Sequence, residues 1–361
     1  MNYTLIKGTF HVVGQSPDGD SLKFRASNPK NWDKIITENR EELLENMEEN
    51  EGVVQLRLQG VDALETHYSP PPARPPSTLK SSSKDGVDRP KSGSHKQPLA
   101  LGDAATEALL QILGVERVEW RSGWGRTWID KAYVKKGRSE VVYEEKYEDE
   151  IPGFIVTNDV ERNGRPLSWV FAGSTSTRDG SSQSVAQLSR RLKSSINYKL
   201  LREGLVYPYF YMTMRASLRN KLVEACRLAY EDAQAMEKPS SSSAPKVPNL
   251  WVYDKTTDGL TVNSLDDITE KYELFPYLFR KVLKHWYKGN LTNYWEILDG
   301  GSSAGYDAND PSINLEGFFE GGNPYIFVIS QKDFLRLDDV LHVTKTRMRM
   351  EIQPFDMVFL S

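Results

Sequence analysis

Val53-Val-Gln-Leu-Arg57-Leu-Gln-Gly60-Val-Asp62-Ala63-Leu-Glu65 is the stretch on which the reading of this chain turns. Val54, Leu56 and Leu58 alternate with Gln55 and Arg57, the period of a strand with one face on a core. Arg57 therefore points away from that apolar face, which excludes it as core filler and leaves a surface ion pair or a functional guanidinium. Two carboxylates, Asp62 and Glu65, follow as the chain leaves the strand.

Toward the N-terminus, residues 3–13 and 21–26 read as strands joined by Gly14-Gln-Ser-Pro-Asp18-Gly-Asp20, a segment dense in turn formers. Between them and the key strand lies an acidic helix over 37–51, with seven Glu against one Arg in 38–51, Thr37 as its N-cap and Gly52 as its stop. Toward the C-terminus, 69–98 is rich in Pro, Ser and Lys, with six Lys or Arg against two Asp. It reads as a loop that cannot bury enough surface to order itself, either a solvated linker or a sweep for polyanions. A short helix follows, Ala104–Leu113, capped by Asp103 and stopped by Gly114. Strands are expected at 115–120 and 127–134, then a pair at 140–147 and 151–156, and a last one at 166–172 entered through Asn163-Gly164. A helix over 195–203 and a longer one over 215–236 come next, the latter with Leu218, Leu222, Ala225, Cys226, Ala229 and Ala233 as its inward stripe. Residues 238–248 read as a linker, and Leu250-Trp251 as an anchor back onto the first domain.

Composition narrows the class. A hydrophobic fraction of 39% is that of a globular protein, and 361 residues suit two folded units. There is no run long and apolar enough to span a bilayer. The N-terminus lacks a basic-then-apolar leader pattern, and the lone Cys226 reads as a core residue, so the expected compartment is the cytoplasm. Net charge is −4, yet 187–228 carries nine Lys or Arg against two Glu, either a phosphate-facing surface or a solvated helix face.

The chemistry lies in three motifs: Asp18-Gly-Asp20-Ser21 in a turn, Arg57 through Glu65, and Glu161-Arg-Asn-Gly-Arg165-Pro at a turn opening into a strand. Phosphodiester hydrolysis needs a positioned water, an acceptor for its proton, and positive charge where the phosphorane oxygens gain charge. Hard oxygen ligands such as Asp20, Asp62 and a carbonyl near Ala63 suit Ca²⁺, and Arg forks grip phosphate oxygens. Each motif alone is also an ordinary turn or surface charge.

In this order and with Ile196-Asn-Tyr-Lys-Leu-Leu-Arg-Glu-Gly204 and the long helix ending at Leu250-Trp251, these motifs resemble the staphylococcal nuclease (thermonuclease) family over residues 3–252. The resemblance implies an α+β fold: a five-stranded OB-fold barrel with three helices, here in a domain 1–252 with insertions at 27–51, 69–98 and 121–160. A smaller C-terminal α+β domain, 253–361, lies outside it. It implies Asp20, Asp62 and the Ala63 carbonyl as calcium ligands, Asp18 behind them, Glu65 as general base, and Arg57 and Arg165 on the scissile phosphate. The implied reaction leaves 3′-phosphate ends on DNA or RNA, with single strands favoured. The family usually has Thr where this chain has Ala63, and Tyr where it has Asn163. Tyr207, Tyr209 and Tyr211 stand near the family's nucleotide-facing tyrosines and read equally as stacking platforms or as core. The rival function is a non-catalytic OB-fold module for nucleic acid. For 253–361, whose aromatics include Tyr272, Phe275 and His285-Trp-Tyr287, the expectation is partner binding, self-association or targeting.

Overall fold

The computed structural model describes residues 2–70, 94–123, 126–236, 248–298 and 312–360. The chain packs as two compact units, Met1–Ala63 with Ala100–Val252, and Leu64–Leu99 with Tyr253–Leu360.

The first unit is built on a closed barrel of five strands: β1 (Tyr3–His11), β2 (Ser21–Ala26), β3 (Val53–Leu58), β4 (Ile151–Val160) and β5 (Pro166–Ala172). Their order is β1-β2-β3-β5-β4, with β4 returning to β1, so no barrel edge is left open. Every pairing is antiparallel except β3 with β5, where Arg57 registers with Leu167 and Leu58 with Ser168. This is a mixed barrel of OB type. The alternation in β3 does what its pattern dictates: Val54, Leu56 and Leu58 are buried while Gln55 and Arg57 are half-buried. Gly8 and Gly153 face each other across β1 and β4. A Cβ on Gly8 would lie 2.0 Å from the Arg25 carbonyl, and one on Gly153 2.1 Å from the Phe10 ring. The missing side chains make room for Phe10 and Phe24, whose rings meet at 5.2 Å inside the barrel.

Helices α1 (Arg40–Glu49), α2 (Leu99–Leu113), α3 (Val185–Arg191), α4 (Ile196–Arg202) and α5 (Ala216–Gln234) surround it. The inward stripe of α5 is buried as expected from Leu218 to Ala233. Two expected caps differ. Thr37 does not cap α1, because its hydroxyl donates to Asp159 Oδ1 at 3.1 Å and Asn39 takes the N-cap position. Asp103 does not cap α2, because the helix begins at Leu99, directly after Pro98, and Asp103 lies inside it. Helix α3 was not anticipated, although Ser184 and Gln187 form a reciprocal capping box there.

The expected pairing of 140–147 with 151–156 is also corrected. Ser139–Tyr143 instead pairs with Arg126–Lys136, which pairs with Val115–Gly123, in a separate three-stranded sheet. Ile151–Val160, at the end of the expected insertion 121–160, is barrel strand β4. The expected linker 238–248 and most of the loop 69–98 lie outside the described residues.

In the second unit, α6 (Pro276–Leu298) accompanies an antiparallel sheet of Met357–Phe359, Tyr325–Val328 and Asp333–Arg336. A second sheet joins Leu260–Thr261, Arg347–Met350 and Leu341–Val343. Leu274, Phe275, Leu278, Phe279, Val282 and Leu283 are buried. A like-charged pair also sits here. Asp254 and Glu273 are bridge partners, and burial, with Asp254 adding to it, pushes the Glu273 carboxyl up to about 8.

Candidate active site

The end of β3 and the turn before β2 bring together two of the three motifs. The Leu58 amide donates to the Asp20 carbonyl at 2.9 Å, which fixes the turn against the strand. Gly19, at a φ of 84°, lets that turn pass between neighbours: a Cβ there would meet Ala105 at 2.9 Å and Ala63 at 3.3 Å. The turn presents Asp20 to Arg57, and the two side chains form an ion pair. Arg57 also donates through Nη2 to Asp62 Oδ1 at 2.8 Å. The Ala63 amide donates to Asp20 Oδ2 at 3.1 Å. Asp18 accepts from the Ser21 hydroxyl at 2.7 Å, which leaves it beside the cluster.

Asp20 and Asp62 are buried, so their charges are held in a medium that solvates them poorly. Burial pushes the Asp20 carboxyl up to about 7, with Asp18 and Asp62 adding to the rise and Arg57 opposing it. The triad Asp20, Arg57 and Asp62 is formally net negative, since one guanidinium faces two carboxylates. A hard cation is the chemical complement of such a set. Among the described residues no group of three or more His, Cys, Asp or Glu is arranged to hold a metal. A cation here would have the Asp20 and Asp62 carboxylates and a backbone oxygen as its protein ligands, hard donors of the kind that Ca²⁺ and Mg²⁺ both accept.

Arg165 lies two residues before Leu167, the register partner of Arg57 across β3 and β5. Its Nε is paired with Glu161, its neighbour four residues back. The barrel therefore carries both candidate phosphate-binding arginines on adjacent strand ends, each already engaged by acids.

Glu65 falls in the second unit. Arg280, on α6, donates to Glu65 Oε1 at 2.5 Å. The main chain of Glu65 is held as well: its amide donates to Gln97 Oε1 at 3.2 Å and its carbonyl accepts from the Gln97 amide at 2.7 Å. No local pattern flags Arg280, one of several cations in an amphipathic helix 215 positions away.

The tyrosines divide. Tyr207 is fully buried, its ring 5.2 Å from that of Trp251, so it is core and not a stacking platform. Its main chain registers with Asp62, which makes it part of the support for that acid. Tyr209 and Tyr211 are half-buried with rings 4.9 Å apart. Asn197, which the sequence reading includes in the 196–204 motif without a role of its own, is fully buried. Its amide donates to the Gln59 and Ser168 carbonyls at 2.9 and 3.0 Å, and its oxygen accepts from the Val170 amide at 2.9 Å. It stitches α4 to the paired ends of β3 and β5.

Three of the nine cations of the basic stretch 187–228 are engaged as follows. Arg202 meets Asp232 at 2.6 Å, Arg227 pairs with Glu224 and Glu231, and Lys221 donates to the Ser189 carbonyl at 2.8 Å. Those charges belong to the solvated-face reading. Among the described residues no helix is long and apolar enough to cross a membrane. No family model matches the chain, and no curated protein matches it.

Proposed function

We propose that this chain is a nuclease of the staphylococcal type, hydrolysing phosphodiester bonds of DNA or RNA, single strands by preference, with calcium as its cofactor. The observation that carries the reading is the Asp20–Arg57–Asp62 triad at the end of β3 in a closed mixed barrel. Asp20, Asp62 and the Ala63 carbonyl are the groups that would hold the ion, which when bound supplies positive charge to the phosphate and to a water. Arg57 and Arg165 bind the scissile phosphate and stabilise the charge that develops on its oxygens. Glu65 takes the proton of the attacking water. Expulsion of the 5′ oxygen leaves a 3′-phosphate. Tyr209 and Tyr211 offer half-buried rings for base stacking. The unit containing 253–360 serves partner binding or targeting, and the compartment is cytoplasmic.

Arg57 and Arg165 both begin engaged with acids, so substrate or metal must exchange with those partners. The closed OB-type barrel itself is the observation behind the second reading, a module that holds nucleic acid without cutting it. Labelled DNA and RNA strands incubated with calcium, magnesium or chelator separate the two. The nuclease reading expects calcium-dependent fragments, reduced about 10²–10⁴-fold in Glu65→Gln. Gel shifts without fragments at any calcium concentration establish the binding module instead.

A further inference from the structure

We propose that Arg280 is a positioning residue for Glu65, so that α6, more than two hundred residues along the chain, sets the geometry of the proton acceptor. The inference rests on the reading of Glu65 as the general base and deepens it.

Three observations converge on this pair. The Arg280 Nη1 to Glu65 Oε1 contact is 2.5 Å, and the two side chains are only 19% and 20% exposed. An ion pair so withdrawn from water is screened far less than a surface pair and holds its geometry. Next, Glu65 is fixed at both main-chain groups by Gln97, which is itself buried and donates through Nε2 to the Leu274 carbonyl at 2.8 Å. Leu274 lies just before α6, so the segment that leads into the Arg280 helix also anchors the clasp on Glu65. Last, the Tyr68 and His95 main chains exchange two hydrogen bonds of 2.7 Å, and the Tyr68 ring packs 6.5 Å from Phe279, the neighbour of Arg280. Tyr68 and His95 are thus bonded to each other, and Tyr68 packs on α6.

A glutamate has several rotatable bonds, and a proton acceptor must hold its carboxylate within tenths of an ångström of the productive position. Gln97 fixes the main chain of Glu65 and Arg280 fixes its carboxylate end. Groups that orient a reacting residue in this way are worth about 10–100-fold in activity when removed.

The test uses the full chain with a labelled single-stranded DNA oligonucleotide in calcium, measuring kcat, KM and Tm for wild type, Arg280→Ala, Arg280→Gln and Arg280→Lys. The expected result is a kcat lower by about 10–100-fold in the Ala and Gln variants with KM within about twofold, and substantial recovery of kcat in Arg280→Lys. Should the Ala variant fail to fold, the Gln variant carries the same criterion. Unchanged kcat with a lowered Tm would show a structural tie only, and a raised KM at unchanged kcat would assign Arg280 to substrate; either overturns the proposal. A raised kcat would overturn it too, making the contact a restraint on Glu65. An inactive wild-type enzyme brings down the nuclease reading and this inference together, whereas an active enzyme indifferent to Arg280 brings down this inference alone.

Discussion

Arg57 and Arg280 each hold an acid of the same short stretch, yet they do so from opposite distances in sequence. Arg57 reaches Asp62 across five positions, and Arg280 reaches Glu65 across 215. The first contact follows from strand geometry: alternation aims Arg57 off the apolar face, and the turn at Gly60 returns the chain so that Asp62 meets it. The second follows from tertiary packing alone. A local motif can therefore nominate reacting groups, while the groups that hold them in place are recruited from wherever the fold supplies a rigid element.

The comparison breaks most visibly at Arg57. Because it is shared by two buried carboxylates, Arg57→Ala should cost about 3–5 kcal/mol in urea unfolding above pH 7, along with about 10²–10³ in cleavage rate. Arg57→Lys should recover little, since a single ammonium does not reproduce a fork between two acids. This contrasts with the recovery expected of Arg280→Lys. A loss under 1 kcal/mol for Arg57→Ala would mean that the carboxylates are solvated and the triad is not a buried cluster.

A smaller effect is expected at Asn197, whose side chain satisfies three main-chain groups at the ends of β3 and β5. Asn197→Ala should cost about 2–3 kcal/mol, because it leaves buried groups without partners. If chemical denaturation finds it neutral, the alignment of Arg57 with the Arg165 turn does not depend on α4.

The smallest effect concerns the second unit and runs with pH. Glu273 holds its proton up to about 8, whereas in the unfolded chain it ionises in the ordinary carboxylate range. Between those values the folded state binds the extra proton, so stability falls as pH rises toward 8 and levels off above it. Glu273→Gln should remove that slope and be more stable than wild type by roughly 1–3 kcal/mol at pH 8.5, with little difference at pH 4. Parallel unfolding curves for the two proteins across this range would contradict the assignment.

Much of the barrel was legible, since each strand carries its own period: β3 and β5 were placed by alternation and by the Asn163-Gly164 turn. Strand partners were read less well. Ser139–Tyr143 pairs with Arg126–Lys136 across the two-residue turn Gly137-Arg138, a hairpin signal that the expected pairing of 140–147 with 151–156 overlooks. Caps failed for a different reason. Thr37 has the right chemistry for a cap, and its hydroxyl is claimed by Asp159, 122 positions away. Tyr207 and Tyr209 share one pattern, and only packing against Trp251 makes the first of them core. In the candidate site, Asp20, Arg57 and Asp62 were read from motifs and meet in the fold, whereas Gln97, Asn197 and Arg280 act through contacts that no local spacing encodes.

As proposed, Asp20, Arg57, Asp62, Glu65 and Arg165 serve calcium-dependent phosphodiester hydrolysis. The most direct measurement is the end chemistry of products from a 5′-labelled single strand, titrated with calcium, for wild type and Glu65→Gln. The expected products are fragments ending in 3′-phosphate that appear with calcium, vanish with chelator and are strongly reduced in the variant. Fragments ending in 3′-hydroxyl, or cleavage indifferent to both calcium and Glu65, would contradict it.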